Sequence, residues 1–79
     1  MSDFTTVFLA NAHQFRASAG DYALITDNPL TAAGFANRGF SPTGAAPWID
    51  ANLDADIASH YADQFKSPAE AIADLNRRR

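Results

Sequence analysis

This chain of 79 residues lacks cysteine and a glycine-rich phosphate loop, and it has only two histidines and one lysine. Without cysteine it cannot form the disulfides that often stabilise small domains, whose single core gives marginal stability. His13 and His60 have no second histidine or cysteine at ligand spacing, so we expect no zinc site and no cofactor. This shortage of reactive groups favours a binding protein over an enzyme.

Long hydrophobic runs are also missing. The chain opens with Met1, Ser2 and Asp3, so its start is acidic rather than basic. Its apolar run at residues 7–10 is short. A signal peptide needs a basic start and a longer apolar segment, and a membrane span needs about 20 apolar residues. We therefore expect a soluble, cytoplasmic protein that does not contact a membrane.

The recognisable catalytic motifs are absent too. The sequence contains neither a nucleophile-elbow serine nor a Walker loop. Asp50, Asp54 and Asp56 resemble the start of a calcium loop but lack the glycine and closing glutamate of an EF-hand, so we interpret them as turn and cap residues. On a helix, His60 could pair with Asp56 and Asp63, which is more typical of a surface ion pair than of a general base. We expect no enzymatic activity.

Acidic residues dominate the body of the chain. Residues 1–76 hold three basic residues against all nine acids, a net charge of −6, and the basic tail 77–79 returns three positive charges. An acidic body disfavours direct nucleic-acid binding, because that affinity comes mainly from lysine and arginine neutralising phosphates. The natural complement is a partner protein with a basic surface, although the same acids also keep an alanine-rich chain soluble.

We expect one α+β domain over residues 1–79, with a β-hairpin over residues 2–28. Strands are predicted near 4–17 and 22–27, because β-branched and aromatic residues cluster there and Ser18 to Asp21 has turn chemistry. The alternative is an all-α chain. In that interpretation a helix covers residues 3–19, with Ser2 as its N-cap and Gly20 just past its end.

The segment 29–47 contains three of the four prolines and three of the four glycines. This composition predicts a loop with one short helical turn near 31–37, and long loops often carry binding function. Phe35, Phe40 and Trp48 lie in or beside the segment, and Arg38 stands between the two phenylalanines. Either these rings cap a small core, or they form with Arg38 an exposed cluster typical of interface hot spots.

The segment 48–77 is predicted to be helical. Apolar residues at 57, 58, 61, 62 and 65 share one face of a helix from about 55 to 66, with Asp54 as its N-cap. Ser67 and Glu70 then form a capping-box pattern around Pro68, which predicts a second helix to about Arg77. The basic tail 77–79 follows, at the negative end of the helix dipole.

The stretch 65–76, Phe-Lys-Ser-Pro-Ala-Glu-Ala-Ile-Ala-Asp-Leu-Asn, resembles the closing helices of many small bacterial and phage proteins. As a whole, the short acidic chain is similar to the host-takeover proteins of bacteriophages, among which anti-CRISPR proteins are a large group. This resemblance implies a non-enzymatic inhibitor that blocks a host nucleic-acid-handling complex by steric or electrostatic means.

The residues themselves suggest which side chains would make the contact. The candidate partner-binding residues are the acids and the aromatic and arginine cluster, namely Asp50, Asp54, Asp56, Asp63, Glu70, Asp74, Phe40, Trp48 and Arg38. One alternative is a self-assembling accessory module, a homodimer whose apolar stripes at 57, 61, 65, 72 and 75 meet across a two-fold axis. Another is an antitoxin-like protein with a cognate partner.

Overall fold

Short helices joined by tight turns make up the fold. The computed structural model describes residues 3–78, so Ser2 and Arg79, which entered the sequence-based expectations, lie outside the described residues. Within that range the elements are α1 (Phe4–Asn11), a 3-10 turn (Arg16–Ser18), α2 (Ala19–Ala23), α3 (Pro29–Asn37), α4 (Pro42–Asp50), α5 (Ala55–Ala62) and α6 (Pro68–Arg77). The expected α+β fold is therefore wrong, and the all-α alternative describes these residues.

The N-terminal segment is helical despite its β-branched residues. Asp3 caps α1, because its carboxylate accepts the backbone N–H of Thr5 at 3.2 Å and the hydroxyl of Thr6 at 2.7 Å. Phe8 is fully buried and its ring lies 5.4 Å from that of Tyr22. This cap and this burial outweigh a β-propensity that is worth less than about 1 kcal/mol per residue. No hairpin forms over residues 3–28, and the helix ends at Asn11 rather than near residue 19.

The segment expected to be a loop contains two helices instead. Pro29 and Pro42 each occupy the first helical position, where the missing N–H costs nothing and the fixed φ suits the helix. The side chains of Asn28 and Ser41 cap these helices. Two of the three prolines in residues 29–47, Pro29 and Pro42, therefore start helices rather than break them.

A 13-residue unit repeats along the chain. The helix caps recur at this interval as Asn28, Ser41, Asp54 and Ser67. Four positions after each cap stands a fully buried alanine, and the four alanines are Ala32, Ala45, Ala58 and Ala71. Seven positions after the first three caps stand buried aromatic residues, namely Phe35, Trp48 and Tyr61. Consecutive helix-and-turn units therefore share the positions of their cap, their buried alanine and, in the first three, their buried aromatic residue.

The first three units end in the same turn. A residue with positive φ follows each helix, and these residues are Gly39 (86°), Asn52 (60°) and Phe65 (60°). The next backbone N–H then bonds back to the aromatic residue of the unit, at 3.0 Å in each pair, from Phe40 to Phe35, Leu53 to Trp48 and Lys66 to Tyr61. This is the Schellman motif, which satisfies the carbonyls at a helix end.

The predicted caps of the two C-terminal helices are confirmed. Asp54 caps α5, and Ser67 and Glu70 form the predicted capping box, with reciprocal hydrogen bonds of 3.2 and 3.1 Å. The helix α5 stops at Ala62 rather than Lys66, because the Schellman turn begins there. Arg77 is the last residue of α6, as predicted for the end of the second helix.

Packing joins these helices in a chain of contacts. The helix α1 packs against α2 and α3, α3 packs against α5, and α5 packs against α6. The resulting body measures 40 × 23 × 17 Å. Within residues 3–78, no helix has the length and apolar character that crossing a membrane requires.

Candidate functional site

The predicted aromatic cluster belongs to the core. Trp48 is only 5% exposed, and the half-buried ring of Phe40 packs edge-on against Phe35 at 5.3 Å and Trp48 at 6.5 Å. The hydroxyl of Tyr22 donates a hydrogen bond to the carbonyl of Phe40, and burial raises the pKa of Tyr22 to about 12. Of the two interpretations of these rings, the structure supports the one in which they cap the core.

Arg38 directly follows α3 and is exposed. Its guanidinium forms an ion pair with Asp56 and donates to the carbonyl of Gly34 at 3.3 Å. Together with Asp54, the pair borders a groove of about 290 Å³ between α3 and α5. Three of the nine candidate residues therefore meet in one place. Because the pair is exposed, its contribution to stability is small.

Two of the acids have structural roles at the start of α5. The carboxylate of Asp54 accepts the backbone N–H of Ile57 at 2.9 Å. Asp56 lies in the first turn, where its charge complements the helix dipole. The interpretation of Asp54 as a cap residue is therefore confirmed, and a partner would have to compete with these contacts to use either carboxylate fully.

Asp74 is also engaged within the fold. It accepts the hydroxyl of Tyr61 at 2.5 Å and forms ion pairs with Arg77 at 2.8 Å and Arg78 at 3.2 Å, and its side chain is 16% exposed. The hydrogen bond from Tyr61, with the nearby arginines, lowers the pKa of Asp74. The same hydrogen bond raises the pKa of Tyr61. This cluster ties α6 to α5.

The other candidate acids are spread over separate elements. Asp50 ends α4, Asp63 follows α5, and Glu70 closes the capping box of α6. All three are exposed. Among residues 3–78 the ion pairs use only the carboxylates of Asp56 and Asp74. Asp50 and Asp63 are therefore the candidate acids whose carboxylates neither cap a helix nor form an ion pair in the described part of the chain.

His60 does not form the pair that its spacing suggested. Its ring nitrogen lies 3.0 Å from the side-chain amide of Gln64, and its ring packs edge-on against Tyr61. Within residues 3–78 it makes no ion pair with Asp56 or Asp63. His60 therefore makes a surface hydrogen bond with Gln64, one helical turn further along the chain.

Phe65 is the surface feature that sequence reasoning missed. The helical pattern placed it on the buried stripe of α5, yet its ring is 97% exposed and its backbone is left-handed. The signal that could have revealed this is the 13-residue period. It aligns Phe65 with Gly39 and Asn52, the residue types that a left-handed turn favours.

A second missed feature is an apolar groove between α2 and α4, which we call the α2–α4 groove. Its volume is about 460 Å³, and it is lined by Asp21, Leu24, Ile25, Pro42, Thr43 and Ala46. The side chain of Leu24 is 85% exposed at this groove. Sequence reasoning missed it because residues 22–27 were expected to form a strand.

The described residues offer surfaces rather than a cluster of reactive groups. Among residues 3–78, no three of the His, Asp and Glu side chains are placed to hold a metal ion together. The groups with shifted pKa values there are Tyr22, Tyr61 and Asp74, and each makes a hydrogen bond within the fold, from α2 to the turn before α4 or between α5 and α6. Comparisons of the chain with protein-family models, with curated proteins and with solved structures gave no match.

Proposed function

We propose that this chain is a protein-binding module that acts by covering a surface of its partner. The observation that carries the proposal is Phe65, whose ring is 97% exposed while its backbone is held in a left-handed conformation. Such a conformation is unfavourable for a bulky residue, and unusual backbone geometry in proteins concentrates at functional positions.

Folding gains little from this side chain. The two preceding units carry Gly39 and Asn52 at the same position and make the same turn. A left-handed backbone costs a residue with a side chain about 1–2 kcal/mol, and an exposed ring returns no burial energy. Contact with a partner would supply that burial, and large aromatic residues are common among interface hot spots.

Charge supports a more specific form of the proposal. Asp63 lies two residues before Phe65 and Asp50 ends α4, so two carboxylates that have no cationic partner among residues 3–78 add to the acidic surface. These groups suit a basic host surface, as in the phage inhibitors of nucleic-acid-handling complexes that the chain resembles. We propose that the protein inhibits such a complex in the host cytoplasm, with Phe65, Asp50 and Asp63 as its leading contacts.

The test is capture from a nuclease-treated lysate of bacteria that carry CRISPR systems, followed by a nucleic-acid-binding assay on the captured complex. The wild-type chain should retain one complex and reduce its binding of nucleic acid. Phe65→Gly should lose both effects, whereas Asn52→Gly, which changes the same turn position in another unit, should keep them. A complex retained equally by the wild type and Phe65→Gly would exclude Phe65 as the contact.

A further inference from the structure

The turn after α5 differs from the turns after α3 and α4 in the order of its side chains. In the two earlier turns the left-handed residue is Gly39 or Asn52, and an apolar residue comes directly after it. After α5 the left-handed residue is Phe65, and Lys66 comes directly after it. All three turns make the same backbone hydrogen bond at 3.0 Å, so the difference lies in the side chains alone.

The position directly after the left-handed residue, which we call the inner position, is packed against the core in the two earlier turns. Phe40 occupies it in the first turn, and its ring centre lies 5.3 Å from that of Phe35. Leu53 occupies it in the second turn and is only 8% exposed. An apolar contact of this kind frequently accompanies the Schellman motif. The inner position of these two turns therefore buries an apolar side chain.

Lys66 occupies the inner position of the third turn. Its ammonium group lies 6.0 Å from the ring centre of Tyr61, and its backbone N–H donates to the carbonyl of the same residue at 3.0 Å. An aromatic ring attracts a cation at this distance, and the aliphatic stem of a lysine also covers apolar surface. Lys66 is half-buried as a result, whereas Phe65 beside it is 97% exposed.

We propose that Lys66 is a positioning residue for Phe65. By covering Tyr61, it fills the place where an apolar side chain would be buried, so the ring of Phe65 stays in solvent and is available to a partner. With that place empty, the ring of Phe65 would cover Tyr61 itself, because its burial removes apolar surface from water. The inference rests on the proposed function, since it explains how the leading contact is presented.

NMR of Lys66 variants tests the proposal through the position of the Phe65 ring. Lys66→Ser empties the inner position, so nuclear Overhauser effects between the rings of Phe65 and Tyr61 should appear, and a dissolved nitroxide should broaden the Phe65 ring signals less. Lys66→Arg keeps a cation over Tyr61, and Lys66→Leu supplies the residue type of Leu53, so both should leave the ring as exposed as in the wild type. Gln64→Ser, at the exposed residue that precedes Phe65, is the matched control and should not move the ring.

Affinity for the captured host complex gives the second readout. Lys66→Ser should weaken binding by about two- to fivefold, the effect of losing an exposed cation–π contact, while Lys66→Arg and Lys66→Leu should bind as the wild type does. Circular dichroism checks that the variants are folded.

The two readouts separate this inference from the proposed function. A Phe65 ring that stays equally exposed in Lys66→Ser would overturn the inference, and the proposed function would stand if Phe65→Gly still lost the host complex. A ring that turns onto Tyr61 in Lys66→Ser without any loss of binding would support the positioning role of Lys66 and contradict the proposed function.

Discussion

At the scale of single residues, the chain assigns small side chains to its buried helix positions and large ones to a few anchors. Ala32, Ala45, Ala58 and Ala71 are fully buried, and each buries little apolar area. Phe8, Tyr22 and Phe35 are the largest fully buried side chains. Phe65 is an exception to this pattern, because it is a large aromatic residue whose exposed ring contributes no burial to the fold.

We expect Phe65→Gly to raise the free energy of unfolding by about 1 kcal/mol. The substitution removes the cost of the left-handed backbone, part of which is offset by the greater freedom of glycine in the unfolded chain. Urea denaturation followed by circular dichroism measures the change. Asn52→Gly is the control and should change stability less, since asparagine tolerates this conformation. Destabilisation by Phe65→Gly would show that the ring supports the fold.

At the scale of elements, each short helix depends on its cap and its closing turn. A helix of eight to ten residues is marginal in isolation, so the side-chain caps of the four units and the Schellman hydrogen bonds of the first three matter more than helix propensity. The contact between Tyr61 and Asp74 adds a side-chain bond between two units, α5 and α6. Because Asp74 titrates, this bond depends on pH.

We expect the Asp74 contact to be lost in acid. Since the folded-state pKa of Asp74 lies below its ordinary value of 3.8, its stabilisation is fully present above that pH and disappears as pH falls through the folded value. Tyr61 behaves in the opposite sense. Its pKa is raised above 10.0, so its contribution is present below pH 10.0 and is lost as pH rises through the folded value.

Unfolding temperatures measured from pH 2 to pH 8 test this loss of stability in acid. Asp74→Asn should unfold at a lower temperature than the wild type at pH 7, and the gap should narrow as the wild-type carboxylate becomes protonated below pH 3.8. Tyr61→Phe, which keeps the ring and removes the hydroxyl, should flatten the acid dependence in part. A gap between the wild type and Asp74→Asn that stays constant over this pH range would contradict the proposed role of Asp74.

At the scale of the whole molecule, contact between α3 and α5 connects the first helices with the last two. Gly34 faces this contact, and a Cβ atom placed on it would lie 3.4 Å from the Cβ of Ala55. A methyl group there would be in ordinary contact, whereas a longer side chain would have to turn away from Ala55 into the groove that Gly34 also lines. The close approach of the two helices therefore favours a small residue at position 34.

We expect Gly34→Leu to destabilise the fold by about 1–3 kcal/mol, the usual cost of overpacking a close contact. Gly20→Leu is the matched control, because Gly20 is also helical and a Cβ there meets no atom within 4 Å. That variant should be neutral or slightly stabilising, since leucine is a better helix former than glycine. Urea unfolding compares the two, and equal stability would show that α3 and α5 can separate without cost.

Local chemistry in the sequence was enough to determine where the two C-terminal helices begin. The caps Asp54 and Ser67 and the capping box with Glu70 were all predicted, because each hydrogen bond spans only three residues. The surplus of acids and its concentration before Arg77 are also properties of the sequence alone. The 13-residue period is readable from the cap positions as well, although its meaning depends on the turns that follow them.

Tertiary structure alone decided the N-terminal half and the candidate surfaces. Thr5 to Val7 are helical because Phe8 is buried against Tyr22, a contact between residues far apart in sequence. Burial also placed Trp48 inside and Phe65 outside, although both are aromatic residues near helix ends. Propensity contributes tenths of a kcal/mol per residue, whereas burying one large side chain contributes about 2 kcal/mol, so packing outweighs the local preference.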